Sequence, residues 1–489
     1  MKLAAWGLVM CALLLGGLGP PAPAGPPGPV LRIAPPSGPV GTRIHISGEG
    51  FPPRASVAWV WETVDGRYRT RVDPENVVFY GYAYDRSREV VLGRSRSDGA
   101  GRVDATVQVP EDVGESHALD AVVGDRVLAQ GRFRVMLSAA MAPSRGPVGT
   151  PITITVHGIP SEDFKTTMAL TYDNRYTGFI SAVTTHGTAR VRIRASGPVG
   201  VHVIDLRQAS QATPYLNLQQ SPNAAFPVEH SWTFTVTQDR ALPPDEVEWP
   251  DPRRVARLSP SAPRTTETPG DLQASPLQLA PLSGPTGTTV SVRGRGLPPG
   301  TPVRLVWITA SRGNRVTGRG WSLASVPLLA GRTGDEGSWA ARVAIPQDLG
   351  GWHVLQLAAG ARVLGAAPFY VTRSLVRVAP RRVREGQIFT VEIRGVGWTE
   401  LDNGVAVTYD NAYTGFACGF NSRGDVTIHL RATGGPGVHL VDLYPMIYQG
   451  HGEPPWSYQV PQLTALEDAP GLRLGYALPI FRLAIQVVR

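Results

Sequence analysis

Apolar and polar residues alternate along this chain in short runs, and four such runs open equivalent stretches of sequence. Ile44 and Ile46 are interleaved with Arg43, His45 and Ser47, and Ile152, Ile154 and Val156 with Thr153 and Thr155. Val290 and Val292 alternate with Thr289, Ser291 and Arg293, and Phe389, Val391 and Ile393 with Thr390 and Glu392. A period of two puts the apolar set on one face of a half-buried strand. Three of the runs follow a Gly-Pro-x-Gly-Thr turn signal at Gly38, Gly146 and Gly284; the fourth follows only Arg384-Glu385-Gly386. Further alternating runs (Val103, Ala105, Val107; Ala341, Val343, Ile345) lead to closing strands at Phe133-Arg134-Val135 and Phe369-Tyr370-Val371. No amphipathic helix of any length is present. The pattern predicts an all-β chain of antiparallel sandwiches, each about a hundred residues long.

The runs belong to a larger duplication. Tyr172-Asp173-Asn174-Arg175-Tyr176-Thr177-Gly178-Phe179 returns as Tyr409-Asp410-Asn411-Ala412-Tyr413-Thr414-Gly415-Phe416. Gly200-Val201-His202-Val203-Ile204-Asp205-Leu206 returns as Gly437-Val438-His439-Leu440-Val441-Asp442-Leu443 at the same offset. A unit that folds once folds twice, so the expected order is A1-B1-A2-B2. The boundaries read as a signal segment at 1–24, a Pro/Gly spacer at 25–29, A1 at 30–136, B1 at 137–237, a Pro-rich linker at 238–276, A2 at 277–372, B2 at 373–460 and a C-terminal extension at 461–489. Short A–B junctions predict two stiff rods, and the linker predicts a flexible joint between them.

Composition changes this picture in three places. Charged residues are only 18% of the chain, with 55 Gly and 45 Pro, which suits turn-rich β-structure. The net charge of +8 is carried almost wholly by scattered Arg, with Lys only at 2 and 165. That is the mark of a GC-rich bacterial coding bias, and without a basic helix or stacking motif it argues against nucleic-acid binding. The start carries Met1-Lys2, an apolar run from Leu3 to Leu18, and Ala22-Pro23-Ala24, which reads as an export signal cleaved before Gly25; a retained anchor is the alternative. Past Cys11 the only cysteine is Cys418, so the exported chain has no internal disulfide and no membrane span after signal removal.

The Ser-Gly-Pro-x-Gly-Thr opening, the alternating strand and the Gly-x-Gly-(Phe/Leu)-Pro-Pro break at residues 37–53 and 283–299 resemble bacterial extracellular immunoglobulin-like domains of the IPT/TIG kind. The resemblance covers mainly the first strands, and is good in A1 and A2, partial in B1 and poor in B2, where Pro and Thr of the opening are gone. It implies an immunoglobulin-like sandwich serving as a spacer, adhesion or binding module outside the cytoplasm. It transfers no catalytic residue.

The duplicated Tyr-Asp-Asn segment is the candidate site: Tyr172, Asp173, Asn174 and Tyr176 in one copy, Tyr409, Asp410, Asn411 and Tyr413 in the other. Two readings compete. Asp173 and Asn174 could donate oxygens to a calcium ion while Tyr172, Tyr176 and Phe179 form a shelf for a sugar ring, and the carbohydrate reading requires exposed, coplanar Tyr176 and Tyr413. Alternatively the segment is a structured turn, with Asp and Asn accepting a left-handed backbone. His202 and Asp205, three apart on a strand, diverge and do not cooperate. No hydrolase, metalloprotease or phosphate-loop motif is present, and no metal, cofactor or catalytic residue is assigned. The expectation is a non-catalytic secreted or envelope protein whose partner is a cell-wall or extracellular polysaccharide or a surface protein. A carbohydrate-binding protein is the alternative.

Overall fold

The computed structural model describes residues 28–489 apart from 74–75, 162–165, 211, 215, 217–227, 240–245, 249–274, 313–321, 398–403, 420–421, 446–458, 465–467 and 469–479. The signal segment and most of the linker therefore lie outside the described residues. Everything described is strand, turn and loop, in four two-sheet sandwiches that follow one plan.

In A1 a three-stranded sheet (Val30–Ala34, Arg43–Glu49, Val103–Gln108) faces a five-stranded one ordered Ser37–Gly38, Arg126–Val135, Ser116–Val123, Ser56–Asp73, Asn76–Arg96. A2 repeats that order from Leu277–Ala280 to Arg362–Val371, and B1 from Ser138–Ala142 to Val228–Val236. The opening strand lies in the small sheet, and the chain then crosses to a two- or three-residue strand that pairs in parallel with the last strand of the large sheet. A cis Ala–Pro bond stands at this crossing in all four repeats (Ala34-Pro35, Ala142-Pro143, Ala280-Pro281, Ala379-Pro380).

The opening motif explains itself in this geometry. Thr42, Thr150 and Thr288 each return a backbone N–H to the proline three residues earlier, at 3.1 Å, and add a hydroxyl bond to the same carbonyl at 2.6–2.7 Å. Gly41, Gly149 and Gly287 carry the positive φ (85°, 94°, 86°) that such a turn demands. In B2 the turn persists without Pro and Thr: Gly386 has φ 83° and Gln387 N–H reaches Arg384 O at 3.1 Å. The alternating residues Ile44, Ile46, Ile152, Ile154, Val156, Val290, Val292, Phe389 and Val391 are all fully buried, as the period of two requires.

Three expectations are corrected. The segment set apart as a C-terminal extension contains Ile480–Val488, which pairs along its length with Gly437–Pro445 and places Phe481, Leu483, Ile485 and Val487 in the B2 core. It is the last strand of that sandwich, and B2 reaches the end of the chain. The linker is not wholly free: Glu246–Glu248 adds to the same sheet by pairing antiparallel with Ile480–Arg482. The halves are not independent either. Ala406, Tyr444 and Leu463 of the second half sit in one buried cluster with Met168, Leu170, Ile180 and Ile193 of B1. Strand alternation reports which residues are buried but not in which partner's interior, so this contact was invisible in the pattern.

Candidate functional site

Asp173 and Asn174 are the two central residues of the hairpin between Thr167–Tyr172 and Arg175–Ser181, with φ 49° and 62°. Asp410 and Asn411 repeat this at 48° and 61° between Gly404–Tyr409 and Ala412–Cys418. Positive φ at both central positions is the primed two-residue turn, and Asp and Asn tolerate it because their short side chains hydrogen-bond locally. Both hairpins carry the same register shift two residues into the strand.

The aspartates reach across the sheet. Asp173 Oδ2 lies 2.6 Å from His202 Nδ1, and its Oδ1 accepts the Val203 N–H at 3.0 Å. Asp410 does the same with His439 at 2.6 Å and Leu440 N–H at 2.9 Å. The far ring nitrogens face the carbonyls of Pro198 and Gly435, at 2.8 and 2.9 Å. Tyr172 and Tyr409 lie against the imidazoles, centroids 5.3 and 5.5 Å apart, and cap carbonyls of Ser196 and Thr433. Burial lowers the affinity of His439 for a proton, but the hydrogen bond to Asp410, the Asp410 charge, the Gly435 carbonyl and Glu385 more than offset this, and its pKa stands above the ordinary histidine value. His202 and Asp205 do not meet, and Asp205 instead receives Arg207 at 2.7 Å.

The A domains place a histidine at the corresponding strand position. His117 and His353 have ring nitrogens 2.9 Å and 2.7 Å from the carbonyls four residues earlier, Val113 and Leu349. They stack on the buried Trp61 and Trp307 at 4.8 and 4.6 Å. Those indoles donate to Asp112 and Asp348, each at 2.7 Å. Sequence reasoning left the A-domain histidines unremarked; a histidine one or two residues into the equivalent strand of each repeat (117, 202, 353, 439) was the available signal.

The remaining tyrosines overturn the sugar-shelf geometry. Tyr176 and Tyr413 contact each other edge to face, 6.3 Å apart at 87°, and neither is coplanar with the other. Tyr176 donates to the Ala212 carbonyl and Tyr413 to that of Gln459 at 2.8 Å. They meet because B2 packs on B1, so two rings that look like separate sites in the sequence are one contact. Asn174 is exposed at its turn, whereas Asn411 is buried, donating to the Arg194 carbonyl (2.8 Å) and the Ser196 hydroxyl (2.7 Å) of B1.

The interface is extended by side chain and backbone. Arg194 and Asp442 form a fully buried ion pair at 2.6 Å, and Arg482 donates to the Arg192 carbonyl. Residues 461–464 and Asp468 of the second half lie against the B1 edge strand. Phe179 N–H donates to Pro461 O at 2.9 Å and Leu463 N–H returns to Phe179 O at 2.8 Å. Thr464 accepts the Ser181 N–H at 3.0 Å, and Asp468 accepts the N–H groups of Val183 and Thr184 at 2.9 and 2.6 Å. Among the described residues no group of three or more metal-ligating side chains converges, and no helix is long and apolar enough to cross a membrane.

No family model and no curated protein matches the chain. Among solved structures it is similar to invasin, a bacterial integrin-binding protein, at 12% identity and a TM-score of 0.20, over 85% of this chain and 76% of that one. It is also similar to Salmonella alpha-2-macroglobulin reacted with methylamine (10% identity, TM-score 0.19, 94% of this chain, 31% of that one). A Corynebacterium diphtheriae protein described as membrane-anchored matches at 11% identity and a TM-score of 0.17, over 70% and 91%. At these scores no functional weight rests on the likeness.

Proposed function

We propose that the chain is a non-catalytic, extracytoplasmic immunoglobulin-like protein that acts as a structural, spacer or adhesion element. The observation that carries this reading is how the distinctive residues are used: the duplicated polar motif is consumed by turns, cross-strand latches and the B1–B2 contact. Catalytic groups must be held within reach of a substrate. Here the carboxylates and imidazoles face one another and backbone carbonyls. The start of the chain, with its positive residue, apolar run and small-residue cleavage site, supports export. The opening-strand resemblance to IPT/TIG-type domains supports a surface or secreted setting. A polysaccharide or a surface protein is the partner class this reading admits, and the edge-to-face Tyr176–Tyr413 pair removes the carbohydrate shelf that favoured the first.

Expression of the full chain in a bacterial host with fractionation and N-terminal sequencing tests the proposal. The expected result is a chain beginning at Gly25 in the medium or envelope fraction. Retention in the cytoplasm with Met1 intact would sink it.

A further inference from the structure

The B1 edge strand and the B2 edge strand are equivalent by repeat, and among the described residues only the first is paired on its outer side. Arg175–Ser181 holds the short segment Pro461-Gln462-Leu463-Thr464 by a single parallel bridge between Phe179 and Gln462, and the chain turns at Leu463 and Thr464. Three features fit it to that segment. The outward N–H and C=O of Phe179 pair with Pro461 and Leu463. Gly178 leaves room for the leucine: a Cβ there would stand 2.6 Å from Pro461 O and 2.9 Å from Leu463 Cδ2. Proline suits the first place because only its carbonyl is used.

The equivalent strand Ala412–Cys418 is the terminal strand of the B2 sheet. Phe416 opposes Ala406 as Phe179 opposes Ala169, after the same register shift, so its N–H and C=O point outward in the same way. Nothing lies within 4 Å of a Cβ built on Gly415. Phe179 is 2% exposed and Phe416 is 46% exposed. An unpaired strand edge with an exposed aromatic is a template for strand addition. It is also continuous with the established interface, since Tyr413 at its start already contacts Tyr176.

We propose that Ala412–Cys418 is a docking edge for an extended, uncharged segment of a partner protein, with proline first and leucine two residues on, added in parallel as Pro461–Thr464 is added to B1. This goes beyond the structural and adhesive role, and its failure leaves that role standing.

The probe is a labelled synthetic peptide of residues 459–464, titrated against the full-length protein. The expected result is one saturable site, with amide hydrogen exchange slowed at Phe416 and unchanged at Phe179. Phe416→Pro deletes the outward donor while leaving the inward ladder, and edge strands tolerate proline. It should weaken binding at least tenfold. A peptide carrying Asp in place of the leucine should fail to bind. Absence of binding at millimolar peptide overturns the proposal. So does protection at Phe179 instead of Phe416, which would mean exchange into the occupied B1 edge. The exchange pattern on the unmodified protein decides the matter even if Phe416→Pro misfolds. Concentration-dependent self-association that Phe416→Pro abolishes, without peptide binding, would assign the edge to a second copy and also overturn it.

Discussion

At the scale of residues, charge placement decides which contacts are worth what. The Arg194–Asp442 pair is fully buried, and a buried pair contributes little net stability because desolvation offsets the attraction. Removing one partner is different, since it strands a charge. Asp442→Ala is expected to destabilise the B1–B2 contact by about 3–5 kcal/mol, while Arg194→Met with Asp442→Leu is near neutral. Urea denaturation of the two variants beside the unmodified protein checks this. His439 gives a pH signature. Its folded pKa is raised, so its contribution is fully present below the unfolded value of about 6.5 and is lost as pH rises through the folded value. Melting temperature should fall as the buffer is taken upward through that window, and Asp410→Asn should flatten the profile. Burial pushes the Cys418 thiol up to about 11, so alkylation at neutral pH should be slow compared with a free thiol.

At the scale of elements, the A–B junctions are stitched by glycine. Gly114 N–H donates to Ile159 O at 3.2 Å and Gly350 N–H to Val396 O at 3.0 Å. A Cβ on either glycine would collide with the carbonyl of Gly158 or Gly395. The stiff-rod expectation for each half has this physical basis. Gly114→Ala should cost about 1–3 kcal/mol by forcing the two junction loops apart, read as faster hydrogen exchange at Gly158 and Ile159 with the rest of A1 unchanged. The long A1 hairpin, Ser56–Asp73 and Asn76–Arg96, adds a second tie. Tyr82 accepts from Thr166 at 2.7 Å, and Asp65 lies 3.4 Å from His186 of B1.

At the scale of the molecule, B1 is completed by the other half of the chain. Its sandwich contains Ala406, Tyr444 and Leu463, and its edge strand is paired by 461–464. Tyr444→Ala in B2 should therefore lower the stability of B1, by about 3 kcal/mol or more from the cavity it leaves. Exchange at buried B1 amides such as Ile180 and Ile193 reports it. A beads-on-a-string arrangement would confine the loss to B2. Two halves clasped in this way resist separation until that interface breaks, a useful property in a load-bearing or adhesive element.

Much of the molecule was legible in the sequence for a local reason. Period-two alternation, glycine at positive φ and the proline-to-threonine turn are properties of a few neighbouring residues, so the strands, the four repeats and the Asp-Asn hairpins could be read directly. What Tyr176, Tyr413, Asn411 and Asp442 do could not, because their partners lie across a domain boundary, more than two hundred residues away in sequence. Ser181 and Cys418 show the limit most plainly. They are equivalent by repeat, yet one is sealed beneath Thr464 and the other borders an open edge. Local pattern set the four folds, and only tertiary packing decided that one copy of the motif is a socket already filled, because burial depends on what is brought alongside and not on the strand's own residues.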